Sequence, residues 1–173
     1  MPSHDSTRPQ AIAALQQQEQ ALVFTSFDEE TAYAIGQALR AAAARQQAPV
    51  AIDIRSASRR LFYTALPGAT PDNEDWARRK GNVALRCHAS SYLVRLRLQA
   101  EGRTPWPDAA LPDGDYAVHG GAFPVRVQGT GVIAAIAVSG LPSYEDHDLV
   151  VAVLARHLGR TDLPATPLPP EQP

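Results

Sequence analysis

An α+β fold with a largely antiparallel sheet of about five strands flanked by helices is what this sequence predicts. Two observations carry it. Residues 50–66 and 123–139 each hold two strand-spaced apolar runs joined by a short turn, the mark of a β-hairpin. Helix-spaced runs with start signals precede, separate and follow those hairpins, at Ser26–Glu29, Thr70-Pro71 and Ser143–Asp146. A fifth, short strand is expected at Leu22-Val23-Phe24.

The elements can be taken in order. Residues 1–7 are polar and expected to be loose. Pro9, followed by Ala11, Ile12 and Leu15, reads as a first helix. Ser26 and Glu29 have capping-box spacing, and Asp28, Glu29 and Glu30 place negative charge where a helix N-terminus favours it. Ala32, Ile35, Leu39 and Ala43 form the apolar stripe of that second helix. Gly36 inside it costs helix propensity, which points to close packing against a neighbour.

Val50, Ile52 and Ile54 alternate with Ala51, Asp53 and Arg55, the pattern of a half-buried strand. Its hairpin partner spans 60–66 and closes at Pro67-Gly68. Thr70-Pro71 is a helix entry, and Trp76, Lys80, Val83 and Cys87 share one face of the helix that follows. Residues 90–100 fit a helix and a strand equally well by periodicity. Residues 101–116 form a long loop with three prolines and two glycines, of a length associated with surface or subunit-contact roles. The hairpin 123–128/132–139 follows, its second strand apolar or small on both faces as a central strand requires. Gly140-Leu141-Pro142 breaks the chain, and Leu149, Val150, Val153 and Leu154 supply the core face of a last helix stopping at Gly159. We expect a single domain over residues 8–160, and a disordered tail over 161–173, which holds five prolines.

Composition narrows the function classes. With 45% apolar residues in 173, the chain can bury a substantial core. A formal charge of −2 gives no reason to expect nucleic acid as a partner. Charge is nevertheless uneven: residues 78–103 hold seven basic groups against Glu101 alone, so that stretch is +6. It reads either as a solvated face or as an anion-binding or subunit-contact surface. Cys87 is the only cysteine, so no intrachain disulfide can form, which fits a reducing cytoplasm. The longest apolar run, 132–138, is far too short to span a bilayer, and the N-terminus lacks the pattern of a signal peptide. We therefore expect a cytoplasmic protein with no membrane partner.

The chemistry-bearing stretch is His119-Gly120-Gly121-Ala122-Phe123-Pro124, read with His147 in the first turn of the last helix. Two glycines permit close backbone approach beside a side chain that titrates near neutrality. His119 is a candidate axial ligand to haem iron or a general acid/base, or else a histidine that caps a turn. His147 is a candidate contact for an anionic group, or a helix cap. Arg78, Arg79 and Lys80 are candidates to grip carboxylates, or to pair with acids of another subunit. His88 and Cys87 are adjacent and point apart on a helix, so they make no joint metal site. No G-x-S-x-G, P-loop or zinc-type spacing is present, and Gly129-Thr130-Gly131 precedes a strand, which rules out a dinucleotide fingerprint there.

Several of these segments resemble the GlcG/HbpS-like family, known as the haem-degrading domain family, and specifically its uncharacterised-protein-family branch. They are residues 25–32, 49–54, 66–73, 76–80, 90–92, 119–124 and 138–142, with Asp146-His147. The resemblance covers about residues 20–158 with the motifs in order. It implies a profilin-like sandwich in which residues 90–100 are helical, and a ring-like or higher homo-oligomer. Taken with the candidate residues above, it leads us to expect an oligomeric small-ligand-binding protein of the haem-binding type. The ligand-binding residues would be His119, Gly120, Gly121, Phe123, His147, Arg78, Arg79 and Lys80, with His119 as the haem-iron ligand and haem as the cofactor. Cys87-His88 ahead of Ser90-Ser91 departs from that branch's pattern. Two other readings stand beside it. One is a structural or adaptor homo-oligomer that binds a protein partner. The other is an enzyme on a small anionic metabolite, with His119 as acid/base.

Overall fold

The computed structural model describes residues 7–169. Residues 1–6, part of the N-terminal stretch expected to be loose, and residues 170–173, the end of the tail expected to be disordered, lie outside the described residues. The elements run α1 (Thr7–Ala21), α2 (Glu29–Arg45), β1 (Ala51–Arg55), β2 (Arg60–Ala65), α3 (Pro71–Cys87), α4 (Ser91–Glu101), β3 (Ala122–Val127), β4 (Gly131–Ser139) and α5 (Ser143–His157). The stretch whose periodicity was ambiguous is helix α4, as the family resemblance implies. Ser90 caps it by accepting from the Leu93 N–H.

The strands form one antiparallel sheet in the order β2-β1-β4-β3. It holds four strands, not five. The expected strand at residues 22–24 is reduced to one parallel bridge from Phe24 to Val127, because Leu22 and Phe24 are drawn into the core as the chain crosses the sheet's end. Helices α2 and α5 cover one face, where Ile35, Leu39, Val150 and Leu154 meet Ile52, Ile54 and Ile136. Each such fully buried side chain contributes about 1.5–3 kcal/mol.

Helix α3 covers the other face, and the residues there are small: Ala77 and Ala84 against Ala122, Ala135 and Ala137. Strand β1 is therefore buried on both faces, not half-buried as its alternation predicts. The polar residue on its α3 side, Asp53, is neutralised by Arg55 and Arg60. Helices α1 and α4 pack beside α3 through Leu15, Val83, Leu93 and Leu96. Gly36 is the close approach its position predicts, since a Cβ there would fall 2.4 Å from the Phe62 ring.

Two helix starts differ from expectation. The N-cap of α2 is Asp28, whose Oδ1 accepts from the Thr31 N–H at 2.8 Å; Ser26 lies outside, and Phe27 between them packs edge-to-face against Phe24. The N-cap of α5 is Pro142, with Ser143 the first helical residue. The tail expected to be disordered has neither helix nor strand over residues 161–169. It is nonetheless held against α1 and α4. Gln18 donates to the Pro164 carbonyl and Thr166 Oγ1, and the Tyr92 hydroxyl donates to the Pro167 carbonyl. Among the described residues, no helix is long and apolar enough to cross a membrane.

Candidate functional site

Where α3 crosses the C-terminal end of β4, an open cavity of about 370 Å³ is walled by Trp76 and Lys80 from α3, His119 from the segment before β3, Ser139 from β4, and Ser143 and Asp146 from α5. Trp76 and Lys80 are four residues apart on α3, so helix geometry alone puts them on one face. Lys80 reaches the floor. Its Nζ donates to Asp146 Oδ2 at 2.9 Å and to the Val138 carbonyl at 3.2 Å, with both charged side chains almost wholly buried. Asp146 also accepts from the Leu141 N–H at 3.0 Å and the Gly140 N–H at 3.3 Å. Burial pulls the Lys80 pKa down and pushes that of Asp146 up, and in each case the partner opposes the shift. An ammonium carries three N–H donors, and the described contacts of Lys80 use two.

His119 is half-buried at the rim, its ring edge-on to Trp76 with centroids 5.2 Å apart. Its Nδ1 lies 3.3 Å from Nη1 of Arg95 on α4. A guanidinium only donates, so Nδ1 is the acceptor and the proton of the neutral ring sits on Nε2. Among the described residues no partner takes Nε2. Burial, then the positive charges of Arg95, Lys80 and Arg79, hold the His119 pKa below its ordinary value, so the ring is neutral at pH 7.

The remaining residues singled out from the sequence do not join His119 in the cavity. Gly120 and Gly121 are packing positions. A Cβ on Gly120 would lie 2.3 Å from the Ser143 carbonyl oxygen, and one on Gly121 would lie 2.3 Å from that of Val138 and 2.8 Å from Lys80 Nζ. Gly121 also has φ +132°. The glycines let the start of β3 close over the Lys80–Asp146 pair. Phe123 is core, on the α5 side of the sheet.

His147 is 1% exposed and sits among Tyr92, Phe123 and Gln18. One residue after Asp146 on the helix, it turns about 100° away from the cavity. Gln18 commits its amide N–H to the tail, so its Oε1 accepts from His147 Nε2 at 2.9 Å, and Nδ1 is left buried without a partner among the described residues. Burial pushes the His147 pKa down to about 3. Arg78 and Arg79 pair with Asp75 and brace the 101–116 loop at Gly114, Asp115 and the Asp113 carbonyl. Arg79 also places its guanidinium 4.2 Å over the Trp76 ring.

Sequence reasoning missed Arg95 as a site residue, because its stretch could not be assigned to helix or strand. It had Trp76 and Lys80 on one helical face without reading that face as a wall. Nor did it read Asp146, a residue of the last helix's start signal, as the partner of Lys80.

Comparison with known proteins shows the family and the fold. The profile of the family described as "Haem degrading protein HbpS-like" matches residues 27–155. A UPF0303 protein of Paraburkholderia phymatum is 52% identical over 150 residues, covering 87% of this chain and 89% of that protein. One from Brucella melitensis biotype 2 is 50% identical over 151 residues with the same coverage. Among solved structures, Ybr137w protein superposes with a TM-score of 0.79 at 29% identity, covering 86% of this chain and 87% of that one. A PduOC:heme complex superposes with a TM-score of 0.64 at 20% identity (77% and 94% covered), and at that identity the likeness is one of fold.

Proposed function

This chain belongs to the HbpS-like haem-degrading protein family, and from that premise we propose that it is a small-ligand-binding protein of the haem-binding type whose ligand occupies the α3–α5 cavity. The observation that carries the reading is the convergence on one open cavity of a flat aromatic wall, Trp76, with the polar donors Lys80 and His119. The lining is mostly polar, with Trp76 as its one aromatic surface, and about 370 Å³ falls in the size range of small-molecule sites. That one fold relative was solved as a haem complex supports haem as the ligand to try first.

The residues present fit haem unevenly. Lys80 and His119 suit its carboxylates. His119 does not suit its iron. A ligating imidazole ordinarily donates its second N–H to an acceptor, leaving the other nitrogen bare for the metal. Here Arg95 donates to Nδ1 and the proton remains on Nε2. The same reading takes the protein as a cytoplasmic homo-oligomer. The free thiol of Cys87 is compatible with that compartment. Sedimentation as a monomer at micromolar concentration would remove the oligomer from the reading.

The test is an absorbance titration of purified protein with haemin, beside His119→Ala and Trp76→Ala. The expected result is a saturable, stoichiometric change in the wild type and binding at least tenfold weaker in both variants. A weak, non-saturating change identical in all three proteins would overturn the assignment of the cavity.

A further inference from the structure

We propose that the cavity is an oxyanion site selective for a carboxylate group, and that Arg95 is the positioning residue that makes it one by holding His119 as an Nε2–H donor. The proposal rests on the ligand-binding reading of the cavity and names the chemistry of what enters it.

Three observations converge on it. The first is the tautomer. Arg95 Nη1 lies 3.3 Å from His119 Nδ1, and arginine has no lone pair to offer, so the imidazole must accept there and present N–H at its other nitrogen. A ring fixed this way offers an N–H to acceptors and no lone pair to a metal ion. The second is charge. Lys80 is balanced by Asp146, and Arg79 by Asp75. Arg95 is half-buried and has no carboxylate partner among the described residues, so one uncompensated positive charge stands behind His119, outside the cavity lining. The third is donor count. The third N–H of Lys80 is unclaimed by the described residues, as is the N–H of His119 Nε2. Two donors on one cavity, with an excess cation behind one of them, match the two oxygens and single charge of a carboxylate.

Two of the three features pass through Arg95, which itself need not touch the ligand. Its replacement by an acid inverts the site. A glutamate at 95 accepts from His119 Nδ1–H, moves the bare lone pair to Nε2 and removes the cation. The tautomer that refuses iron becomes the one that takes it.

The experiment uses three porphyrins with the full chain. Protoporphyrin IX has carboxylates and no iron, haemin has both, and haemin dimethyl ester has iron and no free carboxylate. For the wild type we expect protoporphyrin IX and haemin to bind within about threefold of each other and the diester at least tenfold more weakly. We expect no low-spin, imidazole-ligated signal in the electron paramagnetic resonance spectrum with haemin. In Arg95→Glu the order reverses: protoporphyrin IX loses at least tenfold and haemin gains the low-spin signal, which His119→Ala in the same background removes. A wild-type low-spin signal lost in His119→Ala, or equal affinity for haemin and its diester, would overturn the proposal.

The tautomer is also read without any ligand, from long-range ¹H–¹⁵N correlations of the His119 ring in the wild type at pH 7. A proton on Nδ1 would overturn the proposal even if Arg95→Glu fails to fold. If no porphyrin binds saturably while the ring is protonated at Nε2, the porphyrin reading of the cavity fails. Arg95's hold on the tautomer then stands, and a titration with acetate, following the His119 ring signals, decides whether it serves a carboxylate. Saturable shifts absent in Arg95→Glu support the proposal, and no shift overturns it.

Discussion

Replacing Lys80 with methionine is expected to destabilise the protein in a way that depends on pH. The substitution keeps the aliphatic stem and removes the charge. Asp146, with its side chain 1% exposed, then keeps only the backbone donors of Leu141 and Gly140 at 3.0 and 3.3 Å. Stripping one partner from a buried pair costs roughly 3–5 kcal/mol. The two remaining hydrogen bonds argue for the lower end, about 3 kcal/mol. For a chain of this length that is a fall in Tm of roughly 6–12 °C.

The pH dependence has a definite sign. The carboxyl of Asp146 is already pushed above its ordinary value by burial, and losing Lys80 pushes it further. A group raised in the folded state contributes stability below its unfolded pKa, and that stability is lost as pH rises through the folded pKa. The deficit of Lys80→Met against the wild type should therefore be smaller at pH 5 than at pH 8, as read from thermal unfolding by circular dichroism. A deficit below 1 kcal/mol, or one equal at both pH values, would refute the account of the pair as buried and mutually compensating.

Other substitutions probe the scaffold around the cavity. Gly121→Ala drives a Cβ to 2.3 Å from the Val138 carbonyl at φ +132°, and is expected to cost at least ~2–3 kcal/mol in urea unfolding; a cost under 1 kcal/mol would mean β3 does not close over Lys80 as described. His147, held at about 3 by burial against an ordinary 6.5, contributes stability that is present above pH 6.5 and lost as pH falls toward 3. The span is worth about 4–5 kcal/mol, and His147→Phe should flatten the urea midpoint over that range by about one proton; an unchanged slope would place His147 in water. Gln18→Ala frees the tail from α1 and leaves the His147 N–H unpaired, for about 1–3 kcal/mol. The tail should then be cut faster in limited proteolysis, and an unchanged cutting rate would contradict its docking.

Much of the fold is written in local pattern. The Thr70-Pro71 entry, the 123–139 hairpin and the stripe of α2 are all short-range signals, and the structure contains each. What local pattern could not carry is the identity of the covering layer. Alternation in β1 gives one apolar face, but only the close approach of α3, permitted by alanines far apart in sequence, buries the other. The same limit applies to the site. His119 and Lys80 were visible as chemistry, yet Asp146 and Arg95 come from helices 66 and 24 residues away from the groups they hold. His147 shows the converse. A histidine in a helix's first turn has the sequence signature of an anion contact, and one step of 100° around the helix sends it into the core instead.

The most direct measurement is fluorescence from Trp76 itself. Trp106, 57% exposed on the 101–116 loop, is the only other tryptophan, so Trp106→Phe leaves the wall of the cavity as the sole indole. Titrating that protein with protoporphyrin IX should quench Trp76 saturably at one equivalent per chain. The additional change His119→Ala should weaken the binding at least tenfold. Quenching that never saturates, or that saturates identically without His119, would contradict the claim that this cavity binds the ligand.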